Sequence, residues 1–161
     1  MNLAMEYFMG LGFGTILCVG LFALSYIDFK TYLLPNKITL PLIPIGILQF
    51  WILQQNWVSA CIGAVVAYLG FVAVEKGFKA VRGKDGLGRG DAKLLAVGGA
   101  WCGWSALPYI ILIASLTGIL FAVFFMRSKN KSQLMIAFGP FLALAIFLVW
   151  LCVYFEIIMV L

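Results

Sequence analysis

The sequence predicts an all-α polytopic membrane protein with about six transmembrane helices. Of the 161 residues, 65% are hydrophobic and 11% are charged, and the mean hydropathy is +1.11. Soluble domains contain about 45–50% apolar and about 25% charged residues, so this composition is that of a chain that lies mostly in a membrane. Only short polar connections separate the apolar runs, and we therefore expect one membrane-embedded domain over residues 1–161.

The predicted helices follow from where polar residues interrupt the apolar sequence. Six runs are expected to cross the membrane: Ala4–Ile27, Ile38–Leu53, Val58–Val74, Ala92–Leu107, Pro108–Met126 and Leu134–Val160. The fourth run, Ala92–Leu107, is short for a membrane span. As a helix it reaches about 24 Å, whereas the hydrocarbon core is about 30 Å thick. Pro108 suits the first turn of the fifth helix, where its missing N–H costs nothing. The first ten residues contain Glu6 and no Lys or Arg, so a cleavable signal peptide is not expected.

The basic residues predict the topology. All eleven Lys and Arg residues follow the first, third and fifth spans, whereas the opposite side carries only Glu6 and Glu156. Under the positive-inside rule, both termini then lie on the non-cytoplasmic side. The net charge of +5 makes anionic lipid headgroups the expected partner of the cytoplasmic loops. Nucleic-acid binding is not expected, because the basic residues lie in short loops between spans.

This topology places two aspartates at the same depth. Asp28 lies at the cytoplasmic end of the first span, and Asp91 lies at the cytoplasmic beginning of the fourth. Charged residues at such depths are costly and usually mark a pathway or a reaction site. Each residue alone also has a structural interpretation, with Asp91 as a helix N-cap and Asp28 paired with Lys30. The position of both aspartates at one depth and on one side favours a functional role for the pair over these structural interpretations.

The residue types that are absent narrow the chemistry. The sequence contains no histidine, which argues against HExxH zinc hydrolysis and His-assisted nucleophilic catalysis. Its four cysteines form no CxxC pair, so neither a zinc site nor a disulfide is expected. The segment GFKAVRGK lacks the spacing of a phosphate-binding loop. Carboxylates remain as the acid–base groups, chiefly Asp28, Asp85 and Asp91.

A pair of carboxylates has a well-defined chemistry when both lie in a low-dielectric site. Two such groups a few ångströms apart cannot both ionise, so they share one proton. The ionised member can accept a proton from water while the protonated member polarises a carbonyl group. We therefore expect that Asp28 and Asp91, if adjacent, can hydrolyse a peptide bond without a metal.

Three segments resemble those of bacterial type IV prepilin peptidases, in the same order. YIDFKTYLLPNKITLP is similar to the first active-site segment, in which an aspartate at a helix end precedes Pro-Asn. GLGRGDAKLLAVGGAWCGW is similar to the second, a GxGD core with a lysine two residues later. FGPFLALA is similar to a third stretch, with Ala137 where a proline is common. A bare GxGD would be a weak signal, whereas all three in order are specific.

The resemblance implies an intramembrane aspartic peptidase of the GxGD type. Such an enzyme would remove the short basic leader from prepilin or pseudopilin precursors, at the cytoplasmic face of the bacterial inner membrane. The motif positions put the catalytic pair at Asp28 and Asp91. Longer members carry an insertion with two CxxC pairs that is linked to zinc and to N-methylation. This chain resembles the short members, so neither methyltransferase activity nor S-adenosylmethionine nor zinc is expected, and we predict no cofactor.

Glycines near Asp91 are expected to bind the substrate or shape the site. Gly88 and Gly90 lack a Cβ atom, so the backbone there can take a positive φ or lie against an extended substrate. Gly90 adjoins Asp91 and is favoured, whereas Gly86 fits a flexible linker equally well. On the fourth span, glycines should allow close helix packing, and these are Gly98, Gly99 and Gly103. The five tryptophans fit interfacial belts: Trp51, Trp57, Trp101, Trp104 and Trp150.

Four further residues are expected to shape the site. Lys30 and Lys93 are placed to lower the pKa of a neighbouring carboxylate, although the topology alone would also put them there. Pro35 and Asn36 predict a turn into the second helix, with Asn36 as its N-cap.

Two other functions remain open on the residues alone. A small ion-coupled or proton-coupled transporter could use Asp28 and Asp91 as coupling carboxylates. Such proteins often show internal repeats and sites near the bilayer midplane, and this sequence shows neither feature. A non-catalytic assembly factor with the same fold is the third interpretation, and the retention of both aspartates argues against it.

Overall fold

The computed structural model describes residues 3–54, 56–82, 88–125 and 137–155. These residues form helices and no strand, so the predicted all-α fold class is confirmed. The helices are α1 (Leu3–Thr31), α2 (Asn36–Gln54), α3 (Trp57–Arg82), α4 (Arg89–Cys102), α5 (Leu107–Phe125) and α6 (Gly139–Tyr154). A single 3-10 turn, Trp104–Ala106, joins α4 to α5.

Four of these helices are long and apolar enough to cross a membrane, as judged by length and composition. The spanning segments are Phe8–Thr31, Asn36–Leu53, Trp57–Ala80 and Trp104–Phe124. The apolar helix α6 is shorter, with 16 residues, and α4 has 14. The protein is therefore a multi-pass membrane protein whose fourth helix is short, as the sequence predicts.

Several helix ends differ from the sequence-based expectation. Helix α3 continues past Val74 to Arg82, because Glu75–Arg82 consists mostly of residues that favour helix and contains no proline. Helix α4 stops at Cys102 instead of Leu107, because Gly103 adopts a φ of 80° and ends the helix.

The sixth helix also begins later than predicted. It starts at Gly139, and residues 137–138 before it are not helical. The predicted first residues of this span, 134–136, and its last residues, 156–160, lie outside the described part of the chain. Pro140 lies in the first turn of α6, where its fixed φ and missing N–H favour a helix start.

Helix α4 lies at the centre of the bundle. It packs against α2, α3, α5 and α6, while α1 packs against α2 and α6. Nearly the whole of α4 is buried: Ala92, Leu94, Leu95, Ala96, Val97, Gly98, Gly99, Ala100, Trp101 and Cys102. Small residues let membrane helices approach closely, so a helix rich in Gly and Ala can be surrounded on all sides.

The closest helix–helix approach is between α3 and α4. A Cβ atom built on Gly99 would lie 2.3 Å from the backbone oxygen of Gly63, and one built on Gly63 would lie 2.5 Å from the oxygen of Gly99. Only two glycines permit this backbone-to-backbone contact. The predicted role of Gly99 in close packing is confirmed. A Cβ on Gly98 would press on the Ile146 side chain of α6, at 2.9 Å.

Two tryptophans lie in the core and not in an interfacial belt, so the prediction was wrong for them. Trp101 is completely buried, and its Nε1 donates a hydrogen bond of 2.8 Å to the Leu42 carbonyl oxygen of α2. Gly46 leaves space for the Trp101 indole, because a Cβ atom on Gly46 would lie 2.4 Å from that ring. Trp150 is also buried, and its Nε1 donates to Gln49 Oε1 at 3.3 Å. The other three tryptophans are exposed, in accordance with a belt: Trp51, Trp57 and Trp104.

Candidate active site

Asp28 lies in the last turn of α1 and is almost completely buried, with 5% of its surface exposed. Burying a carboxylate is costly unless it accepts hydrogen bonds. The compensating donor is the backbone N–H of Gly139, at 3.0 Å from Asp28 Oδ2. The first residue of α6 therefore holds the carboxylate at the end of α1.

Asp91 lies in the first turn of α4 and is half-buried. Its burial, and secondly the negative charge of Asp28, raise the pKa of Asp91 to about 6. This influence of one carboxylate on the other means that the two groups interact, although 63 positions (91 minus 28) separate them in the sequence. The structure thus brings the two aspartates together at one end of the bundle.

The connection between α1 and α2 packs directly against the start of α4. Lys93 Nζ donates a hydrogen bond of 2.7 Å to Asn36 Oδ1, the side chain of the first residue of α2. The side chain of Leu34 fills the space beside Gly90, where an added Cβ would lie 3.0 Å from Leu34 Cβ. These two contacts fix the distance between the segments that carry the aspartates.

Both predicted helix caps near the site were wrong. Helix α4 begins after Gly88, which is its N-cap, so Asp91 is a residue of the first turn. Helix α2 begins at Asn36, and the carbonyl oxygen of Pro35 accepts the N–H groups of Ile38 and Thr39. The oxygen of Asn36 is bound by the Lys93 ammonium group, and a charged donor forms the stronger hydrogen bond.

The two described glycines that precede Asp91, Gly88 and Gly90, have ordinary backbone angles. Gly88 is extended, with a φ of −78°, and Gly103 is the glycine with a positive φ among the described residues. The space at Gly90 is occupied by Leu34. Approach of a substrate backbone to Gly88 or Gly90 stays a prediction, and Gly86 and Asp85 lie outside the described residues.

The two lysines predicted near the carboxylates have other partners. Lys30 lies two residues after Asp28 on the helix, and side chains at that spacing point in different directions. Its Nζ donates to the hydroxyl of Tyr26 and lies 4.4 Å from the centre of that ring, on the exposed surface of α1. The hydrogen bond of Lys93 goes to Asn36. Each lysine therefore has a neutral partner.

Gly139 is the site residue that sequence reasoning did not single out. A Cβ built there would lie 2.5 Å from Asp28 Oδ2 and 2.9 Å from its Cγ. The signal in the sequence was the FGPFLALA segment, which contains this glycine and Pro140. That segment resembled a third family stretch, but nothing local indicated that its backbone reaches Asp28.

The arrangement has the features of an acid–base pair. A buried carboxylate with one N–H donor interacts with a second, half-buried carboxylate whose pKa is raised to about 6. Perturbed carboxylates of this kind cluster at catalytic sites. Among the residues that the structure describes, no three His, Cys, Asp or Glu side chains are grouped so that they could hold a metal ion.

The sequence matches a known family model over most of its length. The model of the "Type IV leader peptidase family" matches residues 15–123. The chain belongs to this family. Both Asp28 and Asp91 lie within the matched part of this type IV leader peptidase family member, and Gly139 lies beyond it.

Curated relatives of this family member are similar over most of its chain. A protein of Escherichia coli (strain K12) is 48% identical over 124 residues, which is 75% of this chain and 54% of the relative. One of Dickeya chrysanthemi is 45% identical, covering 82% of this chain and 48% of the relative. One of Pseudomonas aeruginosa is 44% identical, covering 84% and 48%. All three are named "Prepilin leader peptidase/N-methyltransferase".

The type IV leader peptidase family member spans about half the length of the curated relatives that it matches. No solved structure was found to match the chain.

Proposed function

We propose that this protein is an intramembrane aspartic endopeptidase that removes the leader peptide from prepilin or pseudopilin precursors. The observation that carries the proposal is the pair of carboxylates, Asp28 and Asp91, which interact although they belong to different helices. The names of the relatives support the substrate class. The proposal covers the peptidase activity alone, without a cofactor.

In the proposed reaction, the two carboxyl groups act on one water molecule. The ionised carboxylate accepts a proton from the water as its oxygen attacks the scissile carbonyl carbon, while the protonated partner donates a hydrogen bond to the carbonyl oxygen. The tetrahedral intermediate then collapses and the C–N bond breaks, as the carboxyl group that took the proton from water gives it to the leaving nitrogen and is ionised again. The raised pKa of Asp91, about 6, favours a singly protonated pair at mildly acidic to neutral pH.

We propose that the site lies at the cytoplasmic face of the bacterial inner membrane, with both termini on the other side. The distribution of the eleven Lys and Arg residues supports this orientation. The basic loops would then face the anionic headgroups of the inner leaflet. Precursor leaders would reach the aspartates from the cytoplasm.

Further residues are proposed to hold the site together. Lys93 and Asn36 tie the first turn of α4 to the start of α2, and the turn at Pro35 leads into that contact. Gly90 admits Leu34 against α4. We expect these three contacts to act on the position of the aspartates, whereas Lys30 is expected to contribute little beyond its surface charge.

The decisive test is co-expression with a candidate prepilin, with the wild type compared with Asp28→Asn and Asp91→Asn. We expect each single variant to lose leader cleavage at normal membrane levels, because one carboxamide cannot share the proton. Glu75→Gln is the matched control, since Glu75 is a partly buried carboxylate on α3 that pairs with Arg89 at 3.7 Å. Cleavage by either aspartate variant would show that the assignment of the pair is wrong.

A further inference from the structure

The carboxylate of Asp28 is held by a backbone group from the other end of the chain. Gly139 N–H donates to Asp28 Oδ2 at 3.0 Å in a buried contact, across 111 positions of sequence. Gly139 is the first residue of α6, and Pro140 after it has no N–H. The contact therefore uses a free donor at the positive end of a 16-residue helix.

The contact requires a glycine at this position. A Cβ on Gly139 would lie 2.5 Å from Asp28 Oδ2 and 3.2 Å from Asp28 Cβ. Real Cβ atoms do not approach so closely, so any side chain would push the carboxylate away from its donor. By contrast, a Cβ on Gly12 of the same helix as Asp28 would meet nothing within 4 Å. Gly12 is thus a matched control position.

The two carboxylates differ in what surrounds them. Burial disfavours the charged form of both carboxylates, but the backbone N–H of Gly139 donates to Asp28 and favours its charged form. No residue in the described part of the chain donates a hydrogen bond to the Asp91 carboxylate. Burial and the charge of Asp28 both disfavour ionisation of Asp91.

Other charged groups on the packed helices do not reverse this difference. From α6, no charged side chain lies between Gly139 and Tyr154, and α2 carries the exposed Lys37. On α4, Lys93 is bonded to a neutral amide, and on α1 itself Lys30 lies against a tyrosine. Arg89 of α4 pairs with Glu75 of α3 at 3.7 Å, and the charge of Asp28 is the one that acts on Asp91 from a neighbouring helix.

We propose that Gly139 is a positioning residue of the peptidase site. Its N–H holds Asp28 as the ionised member of the pair, which activates water, and the shared proton stays on Asp91. This inference rests on the proposed function and adds a third helix to the site. It assigns the base and the acid of a pair that the sequence treats as equivalent.

The first experiment compares Gly139→Ala with Gly12→Ala as purified enzymes on a precursor that carries its leader. We expect Gly139→Ala to lower kcat by about 100-fold, since misplacement by about 1 Å costs that much, with KM changed by less than about threefold. We also expect the acidic limb of its kcat–pH profile to move to higher pH, because the base has lost its donor. Gly12→Ala should retain wild-type values.

The second experiment does not depend on the folding of Gly139→Ala. Infrared spectra at about pH 5, below the pKa of Asp91, should contain the carbonyl stretch of a protonated carboxyl group. We expect this band to disappear in Asp91→Asn and to persist in Asp28→Asn. The opposite pattern would overturn the assignment of acid and base.

The two experiments separate this inference from the proposed function. A wild-type enzyme that cleaves no precursor would refute the proposed function. If the wild type cleaves and Gly139→Ala has the kcat and pH profile of Gly12→Ala, the positioning role of Gly139 is wrong while the peptidase remains.

Discussion

Asp91→Asn should make the folded protein more stable at neutral pH while it abolishes the proposed activity. Burial, followed by the charge of Asp28, raises the pKa of Asp91 from 3.8 to about 6. The folded protein therefore keeps its proton on this carboxyl at a pH where the unfolded chain has lost it. The stability that this group contributes is complete below pH 3.8 and is lost as the pH rises through about 6.

The size of the effect follows from the shift. A difference of about 2 pKa units corresponds to about 3 kcal/mol, at about 1.36 kcal/mol per unit. By the same linkage relation, the penalty is complete at about pH 7.5 and amounts to about 1 kcal/mol at about pH 4.5. Asp91 is only half-buried, and solvent screening reduces these values. We expect Asp91→Asn to gain about 1–2 kcal/mol more at the higher pH than at the lower.

The assay is thermal unfolding of the purified protein in one detergent across this pH range, followed by tryptophan fluorescence. The control is Glu75→Gln, which removes the negative charge of an ion pair of 3.7 Å with the exposed Arg89 and should destabilise by about 1 kcal/mol at both pH values. The reasoning is refuted if Asp91→Asn is no more stable than the wild type at neutral pH, or if its gain does not fall as the pH is lowered.

Three further predictions concern the contacts that hold the bundle and the site. Gly99→Ala should lower the unfolding temperature, because its methyl group would lie 2.3 Å from a backbone oxygen and overpacking costs about 1–3 kcal/mol. Gly70→Ala is the control and should leave the unfolding temperature unchanged, because a Cβ there meets nothing within 4 Å. Equal effects of the two substitutions would contradict the packing argument. Lys93→Met should slow leader cleavage about 10-fold or more, since a hydrogen bond to a charged group contributes about 1.5–3 kcal/mol. The same change in an Asn36→Ala background should have little further effect, and an additive loss would show that the two side chains act separately. Trp101→Phe should destabilise by about 1–3 kcal/mol in denaturant titrations, because it leaves a buried carbonyl without its indole donor, and an unchanged midpoint would contradict this.

The sequence predicts the helices well where their limits are set locally. Apolar runs identified each of the six helices among the described residues, but the end of α4 was missed, because Gly103 takes a positive φ and ends the helix at Cys102. The end of α3 was missed, because Glu75–Arg82 is polar and was interpreted as a loop although its residues favour helix. Hydropathy measures the free energy of transferring residues into lipid. It therefore does not predict whether a helix continues into a polar segment.

The partners of the site residues were harder to predict than the residues themselves. Topology predicts Asp28 and Asp91 as a pair, because charges at one depth and on one side stand out in an apolar chain. Asn36 and Lys93 were named singly, but their mutual hydrogen bond depends on how α2 packs on α4. The Asn36 cap failed for a related reason, because its side-chain oxygen accepts a hydrogen bond from the Lys93 ammonium group, whereas Asp91 failed because α4 begins earlier, after Gly88.

The sequence by itself determined that this chain is a helical membrane protein and that it contains no histidine, and it predicts two carboxylates at one side of the membrane. These properties depend on residue type and order alone. Polar groups are costly to place in lipid, so the order of apolar and polar residues along the chain sets the topology. Only the tertiary structure decided that the Gly- and Ala-rich α4 is the central helix, and that Gly139 reaches Asp28 across 111 positions. Such contacts depend on the backbone separation of helices, which is set by packing among all of them and is encoded in no single segment.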